Sequence, residues 1–149
     1  MTAGWRLVVP VLVLAVVSAL RRRLMVVRVT GHSMEPTFAD GDRLLVRRQR
    51  RAPGRHDVVV FRTPSAASKD LRHLDLLVKR VVAVAGEPVP TDLRPRVNDR
   101  VVPPGHLLVR GDNPESFDSR QFGYVRYGNL VGTRIRGSAA PRPRRPQRG

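Results

Sequence analysis

The chain has 149 residues, with 28 Lys+Arg against 12 Asp+Glu, a formal net charge of +16 and no cysteine. That length holds one domain, or one small domain with tails, and leaves no room for a second large one. The lack of cysteine excludes a disulfide scaffold, a thiol nucleophile and a zinc-finger module, and it suits either side of a membrane. The charge attracts polyanions such as anionic lipid or nucleic acid, although an Arg-, Val- and Pro-heavy chain also follows from a GC-rich genome. Only Lys69 and Lys79 are lysines, which makes each lysine worth inspecting.

Residues 7–20, LVVPVLVLAVVSAL, carry no charge, with Arg6 before them and Arg21, Arg22 and Arg23 after. A spanning helix needs about 20 apolar residues. Trp5 and the long stems of the flanking arginines extend the effective length of this run. Residues 1–24 therefore read as a membrane-anchoring helix, with a buried core helix and the apolar stretch of a signal peptide as alternatives. No small-residue cleavage site follows the run, as a removable signal would require. Arg21–Arg23 outweigh Arg6, which on the tendency of positive charge to stay in the cytoplasm argues for a cytoplasmic C-terminal side.

Beyond residue 24, short β-rich runs alternate with turn residues. They are Met25–Thr30, Arg43–Arg47, Val58–Phe61, Leu76–Val84, Val101-Val102, Leu107–Arg110 and Val131–Arg136, punctuated by Gly, Pro and Asp. Many short runs so punctuated predict a mainly β domain over residues 25–137. Ser138–Gly149, SAAPRPRRPQRG, has no apolar periodicity and predicts a disordered basic tail.

Two side chains stand out chemically. Ser33 lies just after a predicted strand, in a turn marked by Gly31 and Pro36, and could serve as a nucleophile if a base reaches it. His32 is adjacent, so its ring points away, and His56, His73 and His106 have no local signature that pairs them with a serine. No two histidines have a metal-ligand spacing. Lys79 is the other candidate base. It sits inside LLVKRVVAV, where alternation puts it on one face with Leu77, Val81 and Ala83 and turns Arg80 to the other. Apolar neighbours disfavour the ammonium, and a neutral amine can accept a serine proton. No carboxylate lies on that face within the strand. A snorkelling surface lysine is the alternative from spacing alone.

Four segments, taken in order, resemble the type I signal peptidases, membrane-bound Ser/Lys proteases. They are TGHSMEPTF (30–38), DGDRLLV (40–46) with RHDVVVFRTP (55–64), VKRVVAVAGE (78–87) and VNDRVVPPGHLLVRGDNPESFDSRQFGYV (97–125). The resemblance runs over roughly residues 28–136. It implies a compact antiparallel sheet or barrel with one N-terminal membrane-anchoring helix. It implies Ser33 as nucleophile and Lys79 as general base. Ser116 would orient the Lys79 amine, Asp118 and Arg120 would form a loop-ordering ion pair, and Asp112 and Asn113 would shape the turn beneath the site. Met34 and Pro36 would set the turn that presents Ser33. Gly31 stands where some members have a hydroxyl residue, so the oxyanion hole must rest on backbone N–H groups or water.

The segments also depart from the family pattern. His56 replaces a glycine, residues 83–87 read AVAGE in place of a Gly-x-Pro-Gly-Asp turn, and the last segment is one residue shorter than in many members. Only 31 residues separate Lys79 from Gly111, so the large accessory domain of some members is absent. The resemblance implies no cofactor. It implies removal of N-terminal signal peptides, after small residues, from preproteins at the cell membrane, with the catalytic domain extracytoplasmic. Membrane lipid is an expected partner and no specific nucleic acid is expected. Two alternatives are a dedicated maturation protease for one precursor, such as a nickel-type superoxide dismutase, and a non-catalytic basic membrane- or nucleic-acid-binding module.

Overall fold

The computed structural model describes residues 5–49, 51–64 and 74–139. The apolar run forms helix α1, Trp5–Arg23. It passes directly into strand β1, Leu24–Arg28, and then come β2, Arg43–Arg48, β3, Val58–Arg62, and β4, Leu76–Val84. Strand β5, His106–Arg110, helix α2, Ser119–Phe122, strand β6, Val125–Arg126, and strand β7, Leu130–Ala139, complete the chain. Seven strands form one antiparallel, curled sheet in the order β1-β2-β7-β3-β4-β5-β6. The mainly β reading therefore holds, with one long helix at the N-terminal end.

β3 explains why its sequence, VVVFR, is a continuous apolar run. Val58 and Val60 face a core with Val27, Met34, Phe38, Leu44 and Val46, whereas Val59 and Phe61 face a second core with Leu77, Val81, Val109 and Phe122. A strand buried on both faces has no polar side to alternate with. β4, by contrast, alternates strictly: Leu77, Lys79, Val81 and Ala83 are buried and their neighbours half-buried. Gly132 permits the join between β2 and β7, since a Cβ there would lie 2.5 Å from both the Arg47 carbonyl oxygen and Val46 Cγ1.

Some boundaries differ from the sequence expectation. Val101 forms only an isolated bridge, to Pro88. β7 continues through Ser138 and Ala139, two residues into the segment expected to be disordered; residues 140–149 of that tail lie outside the described residues. The helix α2 and strand β6 were not expected.

α1 is apolar on every side. Val8, Leu14 and Leu20 are 62%, 67% and 50% exposed. At 1.5 Å per residue its uncharged part, residues 7–20, rises roughly 21 Å, short of the ~30 Å hydrocarbon layer. Among the described residues, no helix is long and apolar enough to cross a membrane.

Candidate active site

Ser33 lies in the turn between β1 and β2, and each neighbour has a role in shaping that turn. Gly31 has φ +83°, a conformation that side chains resist, and its N–H donates to Asp40 Oδ1 at 2.8 Å. Met34 is fully buried, beside Phe38, and pins the turn to the core. The turn is closed by the Glu35 N–H on the His32 carbonyl and the Phe38 N–H on the Met34 carbonyl. Pro36 follows a cis bond in its exposed outer part.

A second loop, between β5 and α2, clamps this turn. The Asn113 N–H donates to the Ser33 carbonyl at 3.2 Å, and Asn113 Nδ2 donates to the His32 carbonyl at 3.1 Å. Asp112, next to it, takes a two-pronged hydrogen bond from Arg80 Nε and Nη2, at 2.8 and 2.6 Å. Burial pushes the Asp112 carboxyl up, but hydrogen bonds from Arg80 and Thr37 and the Arg80 charge outweigh it and hold it below its usual range. Gly111 allows the two loops to meet. A Cβ on it would lie 2.0 Å from Ser116 Oγ and 2.5 Å from the Ser33 carbonyl oxygen.

Lys79 projects from β4 into the same region and is 3% exposed. Its Nζ donates to Ser116 Oγ at 2.7 Å. Burial lowers the Lys79 pKa to about 8, with Asp118 opposing the shift and Arg120 adding to it. The strand itself supplies no carboxylate, as expected, but Asp118 from the distant loop partly restores the charged form. Lys79 bonds Ser116 and not Ser33 in this state.

Asp118 is fully buried with every oxygen engaged. It accepts from the Gly111 N–H, from the Arg120 N–H and from Arg120 Nε and Nη2. It is also the N-cap of α2, in a reciprocal capping box with Gln121. One carboxylate thus fixes the turn at Gly111, the helix that follows and the loop carrying Ser116.

Ser33, Lys79 and Ser116 line one cavity of about 660 Å³. Its walls are the Met25–Thr30 segment on one side and Leu74–Lys79 on the other, with Phe117 at the margin. Both walls offer backbone. Among the described residues, β1 pairs only with β2, and β5 joins β4 only from Arg80 onward. The remaining edges of β1 and of Leu76–Lys79 therefore have no strand partner.

Of the ten residues singled out in the sequence, Gly31, Ser33, Lys79, Asn113 and Ser116 line the cavity, Met34 and Pro36 lie in the turn that carries Ser33, and Asp112, Asp118 and Arg120 lie in the facing loop behind it. Arg80, Asp40 and Gly111 were missed as participants. Arg80 and Asp112 are 32 residues apart with no local pattern to link them. The Asp118-Ser-Arg-Gln121 capping box was legible as a helix start.

Comparison with known proteins shows the family of the chain. The family model described as "Signal peptidase, peptidase S26" matches residues 2–92 and 89–136. The chain is 33% identical over 110 residues to mitochondrial inner membrane protease subunit 2 of Schizosaccharomyces pombe, covering 69% of this chain and 58% of that protein. It is 29% identical to signal peptidase I V of Bacillus subtilis, over 70% of this chain and 80% of the relative. It is 31% identical to signal peptidase I of Leptolyngbya laminosa, over 82% and 73%.

Proposed function

The chain belongs to the signal peptidase family, peptidase S26, and from that premise we propose that it is a membrane-associated serine endopeptidase that removes signal peptides from preproteins with a Ser33–Lys79 dyad. The observation that carries the dyad is a single one. A buried lysine, held by Ser116 and lowered to about 8, shares a cavity with a serine in a glycine-shaped turn.

The chemistry follows from the protonation states. Neutral Lys79 accepts the Ser33 hydroxyl proton as Ser33 Oγ attacks the peptide carbonyl. The tetrahedral oxyanion is stabilised by backbone N–H groups, that of Ser33 among them; Gly31 adds no side-chain donor. The protonated lysine returns its proton to the leaving amine. Water then attacks the acyl-enzyme, with Lys79 again as base. Ser116 engages an N–H of the amine, which leaves the lone pair for Ser33. Separation of the two groups in the free enzyme is compatible with this, since catalytic hydrogen bonds tighten when substrate binds.

The substrate enters as an extended strand between the unpaired edges of β1 and Leu76–Lys79. Backbone hydrogen bonds hold it, and alternate side chains enter the cavity. Small residues before the cut fit a strand held this close to both walls. α1 seats the domain on the bilayer through its exposed apolar surface, and the catalytic domain faces the outer side, where the cleavage sites of exported preproteins emerge.

The test is to incubate the detergent-solubilised protein, and its Ser33→Ala form, with preproteins whose signals end in small residues, and to map the cut by mass spectrometry. Cleavage after the small residue by the wild type and none by Ser33→Ala is expected. Equal cleavage by both, or no cleavage by either, overturns the proposal.

A further inference from the structure

A second cleft lies at the foot of α1. It has a volume of about 330 Å³ and is lined by Arg23, Arg47, Arg48, Arg51, Gln49 and Asp57, among others. Arg23 is the last residue of α1, and its neighbour Leu24 pairs with Arg47. Arg47 in turn pairs with Thr133 on β7, and Arg48 with Gly132. The sheet register therefore brings Arg23, Arg47 and Arg48 to the point where the apolar helix meets the domain, with Arg51 beside them in the cleft wall.

None of the four arginines has a carboxylate partner among the described residues. The one acid in the wall is already engaged: Asp57 Oδ2 accepts the Gly54 N–H at 2.9 Å, and Oδ1 lies 3.7 Å from Arg136. Gln49 Oε1 accepts from the Thr133 hydroxyl at 3.2 Å, which leaves its amide N–H groups as donors. A concave site lined by four arginines without a carboxylate partner among the described residues, and by an amide donor, suits a phosphate.

We propose that this cleft binds the phosphate headgroup of an anionic membrane phospholipid. Two observations select a lipid over another polyanion. The cleft is continuous with α1, whose exposed apolar side chains from Val8 to Leu20 require a hydrocarbon environment. The cleft is also a concave pocket of headgroup size, with no aromatic residue lining it for base stacking. Arg21–Arg23, which argue against an outward domain if counted as retained charge, become headgroup contacts beside the helix instead. The inference uses the membrane seat of α1 given above, but not the Ser33–Lys79 chemistry.

The full chain is tested by flotation with neutral phosphatidylcholine vesicles and with vesicles containing phosphatidylglycerol. The variants are the triple change Arg47→Gln, Arg48→Gln and Arg51→Gln, and a control triple outside the cleft lining, Arg94→Gln and Arg96→Gln in the β4–β5 connection and Arg126→Gln on β6. The wild type should prefer the anionic vesicles. The cleft triple should lose that preference, on the order of a hundredfold at roughly fivefold per arginine near the surface, and keep binding neutral vesicles through α1. The control triple should bind like wild type, and cleavage of a detergent-soluble precursor should survive in both triples. No preference in the wild type, or an equal loss in the two triples, overturns the site. So does a cleft triple that loses binding to duplex DNA while keeping its lipid preference. Absence of cleavage by the wild type, with lipid preference intact, would overturn the protease reading alone.

Discussion

Lys79 Nζ and Ser116 Oγ lie 2.7 Å apart although they are 37 positions apart in the sequence, and both side chains are almost fully buried. The contact joins the middle of β4 to the loop before α2. It orients an amine that burial has made easier to deprotonate. This relation implies a pH profile. Cleavage at limiting substrate should rise about tenfold per pH unit below pH 8 and level off above it, as the fraction of neutral Lys79 does. Initial rates over a pH series measure this.

The same burial costs stability. Between pH 8 and about 10.4 the unfolded chain holds a proton on Lys79 that the folded one has released, so stability rises with pH through that window. Below pH 8 the cost is at its full value, ~3 kcal/mol for the shift to about 8. Lys79→Met should therefore be inactive yet more stable at pH 7 by about 1–2 kcal/mol, after allowance for the unpaired Ser116 hydroxyl. Its advantage over wild type should shrink toward pH 10. Thermal unfolding of both proteins at two pH values measures this.

Asp118 favours the charged form of Lys79 and also holds Gly111, Arg120 and the start of α2. Asp118→Asn should lower the apparent pKa of the cleavage profile, because the opposing charge is gone, and should lower Tm. Asp118→Ala should cost about 3–5 kcal/mol, since Arg120 and the buried Gly111 N–H lose their acceptor. Denaturant titration beside the pH profile separates the two effects.

Gly111→Ala places a methyl group on Ser116 Oγ and the Ser33 carbonyl at once. Both loops must shift, and misplacement on the ångström scale costs roughly 10²-fold in rate. The cleavage rate should fall by that order, with a stability loss of about 1–3 kcal/mol from overpacking.

Arg80→Met removes the two-pronged contact to Asp112 beneath the Asn113–Ser33 clamp. Turnover should fall, and Arg80→Lys should restore it only in part, because an ammonium cannot match the fork geometry. An unchanged pH midpoint would mark the effect as positioning of Ser33, with no change in the base.

The sequence exposed the elements with local signatures. Val58–Arg62 and Leu76–Val84 are readable because uninterrupted and alternating apolar patterns report two-sided and one-sided burial directly. Ser33 and Lys79 were legible as a serine in a Gly/Pro turn and a lysine in an apolar strand. The hidden parts depend on contacts between distant segments. Arg80 reads as an outward-facing charge until folding brings Asp112 to it. Gly111 reads as a turn residue until Ser116 and Ser33 converge on its missing side chain. The acid that tempers Lys79 comes from 39 residues downstream, which no inspection of β4 reveals. α1 shows the reverse: its apolar run is plain in the sequence, but among the described residues no helix is long and apolar enough to cross a membrane.

The dyad itself is tested most directly by acylation. The wild type, Ser33→Ala and Lys79→Ala proteins are exposed to a serine-directed acylating probe across a pH series, and the labelled peptide is identified by mass spectrometry. The account predicts label on Ser33 alone, rising tenfold per unit to a plateau near pH 8, and none on either variant. Label on another serine, a rate indifferent to pH, or equal labelling of Lys79→Ala would contradict it.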